Sequence, residues 1–268
     1  MTRFIFYINM LTSLFILSAC FGGSGKNSPG VQQLKTAELN ERALNSEENG
    51  NRYLAMQLLN EALRLSASLD DQQGQAVALL NIARLARPSG NMNLASSSVD
   101  RALLLSAGTN IYSDAVQEKA IQELSAGNME RAYSLAEDAL AKEQGNLKGR
   151  RLNLMARIAF KMGQMDRCLS LLDLALSANS TEMLSEERAN TVRLLGRVNA
   201  RQNRFAKAEE YLAEAVAIDK KLEIPAKIAE DLEAFSEFYG LKGDMQRKDE
   251  YILRATDVRN NMTPQTIK

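Results

Sequence analysis

Histidine and tryptophan are absent from this chain of 268 residues, and cysteine occurs twice. Without histidine the chain lacks the commonest general base and the commonest protein ligand of metals, so catalysis and metal binding are disfavoured. Aromatic residues are few, whereas alanine and leucine are abundant, as in packed helices. We therefore expect no enzymatic activity, no cofactor and no metal site.

The chain also lacks an excess of charge of either sign, because 33 basic residues balance 33 acidic ones. A neutral protein has no overall field that would attract nucleic acid or an acidic substrate. No phosphate-binding loop, metal-spaced cluster or low-complexity segment is found. Charge therefore predicts no nucleic-acid partner.

What the chain does contain is one spacing of apolar residues, repeated six times. In Asn203–Val216 the turn residue is followed by small or apolar residues two, five, nine, twelve and thirteen positions on. Steps of three and four residues place these side chains on one helix face. The turn residues of the six copies are Gly50, Gly90, Gly127, Gly163, Asn203 and Gly243, which lie 40, 37, 36, 40 and 40 residues apart.

A second amphipathic helix precedes each turn residue. A small residue at its eighth position would let the partner helix approach closely. In five copies this residue is Ala83, Ala120, Ala156, Gly196 or Ser236. A period of this length with helical spacing inside it predicts an all-α solenoid.

The repeats resemble tetratricopeptide repeats, whose pattern is Leu-Gly-x-x-Tyr followed by Gly-x-Tyr-x-x-Ala-x-x-x-Phe-x-x-Ala. Several copies depart from it: the large aromatic residue near position eleven is kept only as Tyr239, Lys248 replaces a small residue in the sixth copy, and the proline that ends the repeat is missing. The period exceeds the usual ~34 residues and resembles the long variant in kinesin light chain. HEAT repeats, of about 40–47 residues, are the alternative. The resemblance implies a right-handed solenoid of about six helix-turn-helix repeats over residues 31–261.

The N-terminal residues 1–19 form an apolar stretch that contains one charge, Arg3, and that reads as a signal peptide. The following Leu17-Ser18-Ala19-Cys20 resembles the lipobox of bacterial lipoproteins, which implies cleavage before Cys20 and its lipidation. Phe21, in place of aspartate, implies an outer-membrane anchor facing the periplasm. The alternatives are an ordinary cleavage site before a chance cysteine, or an uncleaved anchor.

Two segments flank the repeats without sharing their pattern. Residues 20–30 are rich in glycine and serine and are expected to be a flexible tether. Residues 262–268 lack periodicity and are expected to be a disordered tail. Within the repeats, Cys168 fills a position that alanine holds in sister copies, so it is interpreted as a packing residue; a reactive thiol or an intermolecular disulfide is the alternative.

The resemblance also implies a ligand groove on the leading helices, at their positions two, five, nine and thirteen. It resembles a carboxylate clamp that would hold a protein's acidic segment or C-terminus. The opposing interpretation is that Glu230, Glu233 and Glu237 neutralise this surface. The groove positions are Arg84, Arg150, Asn153, Arg157, Lys161, Asn190, Arg193, Arg197 and Arg201.

Together these features predict a lipid-anchored periplasmic scaffold that binds other proteins in a cell-envelope assembly. One version resembles the pilotin-type lipoproteins that support type IV pilus or secretin assembly, and another resembles the repeat lipoprotein of the barrel-assembly complex. The alternative is a binder of an anionic small molecule or glycan.

Overall fold

A computed structural model describes residues 30–179 and 185–262, and all regular structure within them is helical. The predicted signal peptide, Cys20, most of the tether and the tail after Met262 lie outside the described residues. The helices are α1 (Val31–Glu48), α2 (Arg52–Ser68), α3 (Gln72–Ala86), α4 (Met92–Ser106), α5 (Tyr112–Ser125), α6 (Met129–Ala141), α7 (Lys148–Lys161), α8 (Met165–Ala178), α9 (Glu186–Arg201), α10 (Phe205–Lys221), α11 (Pro225–Lys242) and α12 (Met245–Met262).

Consecutive helices pair into six antiparallel hairpins, each with an odd-numbered leading helix and an even-numbered trailing helix. This confirms the predicted all-α solenoid of six repeats. Each trailing helix begins two residues after the predicted turn residue, so the hairpins keep the period of the sequence. Pro225, predicted in the first turn of the sixth leading helix, is the first residue of α11.

All six predicted turn residues adopt the left-handed backbone conformation, with φ between 59° and 85°. Glycine reaches this region without steric cost, and asparagine tolerates it better than most residues. This explains why five copies carry glycine and the fifth carries Asn203.

The small residues that the pattern selects are buried where paired helices meet. Gly196 shows the constraint most clearly. A Cβ atom there would lie 2.6 Å from Cγ of Leu212 and 3.2 Å from the carbonyl oxygen of Ala208. Helices α9 and α10 therefore pack as closely as their backbones allow.

Leading helices of successive repeats contact one another along the whole array, from α1 and α3 to α9 and α11. Each trailing helix contacts its own leading helix and that of the next repeat. The leading helices therefore line the inner face of the solenoid. The terminal helix α12 buries Ala255 as its single fully enclosed residue and ends the array with a polar surface. No helix in the described ranges is long and apolar enough to span a membrane.

Cys168 is fully buried in the core of the third and fourth repeats, as the packing interpretation predicted. Burial raises the pKa of its thiol to about 12. The thiol is thus protonated at neutral pH and shielded from reagents.

Replacing Gly196 with alanine should force α9 and α10 apart and destabilise the protein by about 1–3 kcal/mol. Gly240→Ala is the matched control within α11, because its Cβ would meet the flexible side chain of Lys248, at 3.3 Å. That change should be neutral or stabilising by up to about 1 kcal/mol. Urea unfolding followed by circular dichroism measures both, and equal effects would contradict the close packing.

In the Cys20→Ser variant Cys168 is the one remaining thiol. A bulky maleimide should label the native protein at least about a hundredfold more slowly than the urea-unfolded chain, since burial removes both access and thiolate. Mass spectrometry over a time course follows the reaction. Rapid labelling of the native protein would revive the reactive-thiol alternative.

Candidate functional site

A cavity of about 390 Å³ opens on the inner face of the solenoid. Its walls come from the leading helices α3, α5, α7, α9 and α11, with Arg87 just after α3. Two of the predicted groove residues, Lys161 and Arg201, lie beyond its wall. The other seven line it: Arg84, Arg150, Asn153, Arg157, Asn190, Arg193 and Arg197.

At one end of the cavity, Arg84 and Arg87 both bind the buried carboxylate of Glu118. Nε of Arg84 donates to Oε1 of Glu118 at 2.8 Å, and Nη2 of Arg87 donates to Oε2. Burial alone would raise the pKa of Glu118, but the two guanidinium charges outweigh it and lower that pKa. Both arginines therefore join the second repeat to the third, and their guanidinium groups are occupied by Glu118.

Arg193 likewise forms ion pairs that join the fifth repeat to the sixth. Its Nε donates to Oδ1 of Asp231 at 2.5 Å, and its Nη2 donates to Asp219. Its Nη1 reaches Oδ1 of Asn190 at 2.8 Å and Oε2 of Glu230 at 3.3 Å. The guanidinium is nearly buried and cannot leave these partners without stranding two buried carboxyls.

Arg197 and Arg201 share one acceptor, Glu237, at 2.8 and 2.7 Å. Both guanidinium groups also lie over the ring of Phe160, 5.2 and 4.9 Å from its centroid. Glu230 pairs with Arg193, whereas Glu233 pairs with Arg259 on α12. Glu230 and Glu237 therefore neutralise the arginines of α9, as the opposing interpretation predicted, whereas Glu233 does not.

Arg157 differs from the other arginines of the cavity. It forms no ion pair or hydrogen bond with any described residue, and its side chain is exposed to solvent through the cavity mouth. The cavity walls desolvate it, which lowers its pKa although the charge of Glu230 opposes the change. Arginine stays charged under such a shift.

At its own register, Arg157 meets no acidic residue in the part of the chain that the structure describes. Position nine of the leading helix is Ile121 in the preceding repeat and Arg197 in the following one, and neither is an acceptor. Arg197 finds Glu237 at position nine of the sixth repeat, but Arg157 has no such neighbour. Its guanidinium is therefore available to an external anion.

Three glutamates, Glu186, Glu187 and Glu230, stand on the opposite wall of the cavity. Their ion pairs with Lys227, Arg150 and Arg193 are loose, with nitrogen–oxygen distances of 3.2–3.6 Å. The carboxylates remain between 28% and 49% exposed. Within the described part of the chain, the cavity thus combines one cation that has no ion pair with accessible glutamate carboxylates. Among the described residues no cluster of cysteine, aspartate or glutamate is arranged to hold a metal.

The sequence analysis missed five charged lining residues: Arg87, Glu118, Glu186, Glu187 and Lys227. Glu118 and Arg87 occupy positions six and twelve of their repeats. In the fourth, fifth and sixth repeats position six is apolar, at Leu154, Leu194 and Ala234. The unusual charge of Glu118 at this position is therefore the feature of the sequence that could have indicated its role. Asp219 escaped as well, because it lies on the trailing helix α10.

Comparison with known proteins agrees with this fold. The tetratricopeptide repeat family model matches residues 150–221, the fourth and fifth repeats, which carry Arg157 and its neighbours. No curated protein sequence matches the chain significantly. The match confirms tetratricopeptide repeats over residues 150–221, and the fold of the other described repeats is the same. Such repeats indicate a scaffold for protein–protein interaction.

Solved structures with the same fold share little sequence with this chain. BtubC (BKLC) from P. vanneervenii is 18% identical, with a TM-score of 0.58 over 90% of this chain and 95% of its own. The Rap conjugation regulator of plasmid pLS20, solved with the Phr* peptide, is 14% identical, with a TM-score of 0.73 over 91% and 67%. PilF from Pseudomonas aeruginosa is 13% identical, with a TM-score of 0.57 over 87% and 97%.

Beside the cavity, Asp219 and Asp231 form a buried carboxyl pair around the one guanidinium of Arg193. Burial raises the pKa of both carboxyls, for Asp231 to about 7. Oδ1 of Asp219 and Oδ2 of Asp231 find no acceptor or donor elsewhere. The two side chains interact with each other, so a single proton held between them would satisfy both oxygens.

This pair should make stability depend on pH. The folded state keeps a proton that the unfolded chain releases near pH 4, so stability present at low pH is lost as pH rises toward about 7. Between about pH 4 and about pH 7, the free energy of unfolding of Asp231→Asn should therefore fall by roughly 1–4 kcal/mol less than that of the parent protein. Exposed Asp249→Asn, which removes the same charge, is the control. Urea unfolding at a series of pH values measures this difference. If the free energy of unfolding depends on pH in the same way in all three proteins, the shared proton is contradicted.

Proposed function

We propose that this protein is a lipid-anchored periplasmic scaffold that captures a carboxylate-bearing segment of another protein during assembly of an envelope machine. The observation that carries the capture step is Arg157, which lines a cavity made by five leading helices and forms no ion pair or hydrogen bond with any described residue. A guanidinium can bind a carboxylate through two parallel hydrogen bonds. Desolvation by the cavity walls strengthens such a contact.

The anchor in this proposal rests on Leu17-Ser18-Ala19-Cys20 and on the Gly- and Ser-rich residues that follow. A lipid on Cys20 would hold the repeats near the membrane, and the tether would let the cavity reach a partner. A pilotin-like role in type IV pilus or secretin assembly is the version we favour. The fold it shares with PilF over nearly the whole chain is compatible with that role.

The Rap regulator adds a second line of support, because that protein was solved with a bound peptide. A solenoid of this fold thus accommodates a peptide in at least one case. Binding of a protein segment, rather than catalysis, also suits a cavity lined by arginines that are mostly engaged in ion pairs.

Crosslinking and affinity capture from gently solubilised envelopes test the capture step, with Arg157→Glu beside Lys161→Glu. The two residues lie one turn apart on α7 and the charge change is the same, but Lys161 lies outside the cavity. We expect the Arg157 variant to lose its partner by at least about tenfold and the Lys161 variant to keep it.

Equal melting temperatures of the two variants would exclude unfolding as the cause of any loss. A partner retained by Arg157→Glu would contradict the cavity as the capture site. A glycan that raises the melting temperature of the parent, with no captured protein, would favour the small-molecule alternative. For the anchor, Cys20→Ser should leave the membrane fraction, and its retention there would contradict lipidation.

A further inference from the structure

Basic side chains concentrate along one edge of the solenoid, where each leading helix turns into its trailing helix. Because the hairpins are antiparallel and stack side by side, all six turns lie at this edge. In the fourth to sixth repeats, the stretch from five residues before to five residues after each turn residue contains two acidic residues, Asp166 and Asp244. The cations of these stretches define the basic edge, and they are Lys161, Arg167, Arg201, Arg204, Lys207, Lys242, Arg247 and Lys248.

This excess of positive charge is confined to half of the array. The whole chain has no net charge. The basic edge is therefore a local feature that the overall composition conceals. The corresponding stretches of the first three repeats contain four acidic and three basic residues: Glu47, Glu48, Glu123, Glu130, Arg52, Arg87 and Arg131.

Most cations of the basic edge have no acidic partner. Arg167, Arg201 and Arg247 form ion pairs with carboxylates of their own or the adjacent repeat. The other five form no ion pair with any described residue: Lys161, Arg204, Lys207, Lys242 and Lys248. On the inner face, by contrast, six of the seven cations that line the cavity are paired. The edge therefore carries a field of one sign that an anionic surface would feel.

Apolar side chains lie among these cations. Met245 is 53% exposed and Leu241 is 46% exposed. In the two preceding repeats the position of Met245 is held by Met165 and Phe205, which are partly exposed. A nucleic acid would pair with the cations alone, whereas a lipid surface offers phosphates to the cations and acyl chains to the apolar groups. The composition of the edge therefore favours a lipid surface.

We propose that the basic edge rests on a membrane that contains anionic phospholipid, with the five unpaired cations at the headgroup phosphates. Met245 and Leu241 then lie at the boundary between headgroups and acyl chains. This inference rests on the proposed lipid anchor for the choice of a membrane over an acidic protein, since the anchor would keep the edge within reach of the bilayer. It does not involve Arg157 or the cavity.

Contact of this kind sets the orientation of the cavity. The helices run from the turn edge to the opposite edge, so they stand upright when the turns lie on the bilayer. The inner face is formed by the sides of the leading helices and therefore opens along the plane of the membrane. A partner held at the same membrane would meet the cavity from the side.

Co-sedimentation with vesicles tests the basic edge on the mature chain carrying Cys20→Ser, which has every repeat but accepts no lipid. The vesicles consist of phosphatidylcholine, alone or with about one third phosphatidylglycerol. We expect binding to the anionic vesicles at low salt and at least about tenfold weaker binding to the neutral ones. High salt should release the protein, because screening removes the attraction between exposed charges.

Matched variants at the two ends of α10 separate the edge from the rest of the surface. Arg204→Gln with Lys207→Gln removes two charges at the turn end, and Lys220→Gln with Lys221→Gln removes two at the opposite end. All four side chains are exposed, and none forms an ion pair with a described residue. At about fivefold for each residue, the edge variant should bind anionic vesicles at least about tenfold more weakly, and the control should change by less than about threefold. Equal melting temperatures show that both variants are folded.

Equal binding to neutral and anionic vesicles, or equal losses in the two α10 variants, would overturn this inference. Edge-dependent binding of polyglutamate or duplex DNA by a protein that ignores anionic vesicles would also overturn it. Neither result affects the capture of a partner through Arg157. The lipid anchor is tested separately, by fractionation of Cys20→Ser after a high-salt wash that removes contacts of the edge but leaves a lipidated protein in the membrane.

Discussion

Arginine–carboxylate pairs that cross from one leading helix to the next are the constraint on which the inner surface depends. Arg84 with Glu118, Arg151 with Asp114, Arg193 with Asp231 and Arg197 with Glu237 each join residues 34–40 positions apart, about one repeat. Where both partners are buried, removing one would leave the other unpaired, at a cost of about 3–5 kcal/mol. These charges therefore hold the seams of the solenoid and cannot also serve a ligand.

The same pairing determines which charge is left for binding. An arginine is neutralised when the next repeat offers an acid within reach, at the same register as Glu237 does for Arg197, or three positions earlier as Glu118 does for Arg84. Arg157 meets Arg197 at its own register and has no ion pair with any described residue. The charge proposed for binding is thus the one that the pairing between repeats leaves over among the described residues.

The sequence predicts features that depend on one repeat more fully than those that depend on two. Turn residues such as Asn203 and close-packing residues such as Gly196 obey local steric rules, so their roles could be read from spacing. Groove-facing positions also follow from helix register, and so do the acids that share this register, such as Glu237. The other ion-pair partners do not, because Glu118 lies outside the expected positions and Asp219 reaches Arg193 from a trailing helix.

A cavity whose charges are mostly paired, with Arg157 as the one cation without an ion pair among the described residues, implies a particular way of choosing partners. Long-range steering needs a large field of one sign, and paired charges supply little of it. Selection must then occur at contact distance, where the geometry of one guanidinium and one acidic wall is felt. Discrimination will appear mainly in the dissociation rate, since misplaced charges shorten the life of a complex more than they slow its formation. Such a scaffold suits a partner that is already held nearby, as the proposed lipid anchor would hold it, rather than one found by diffusion.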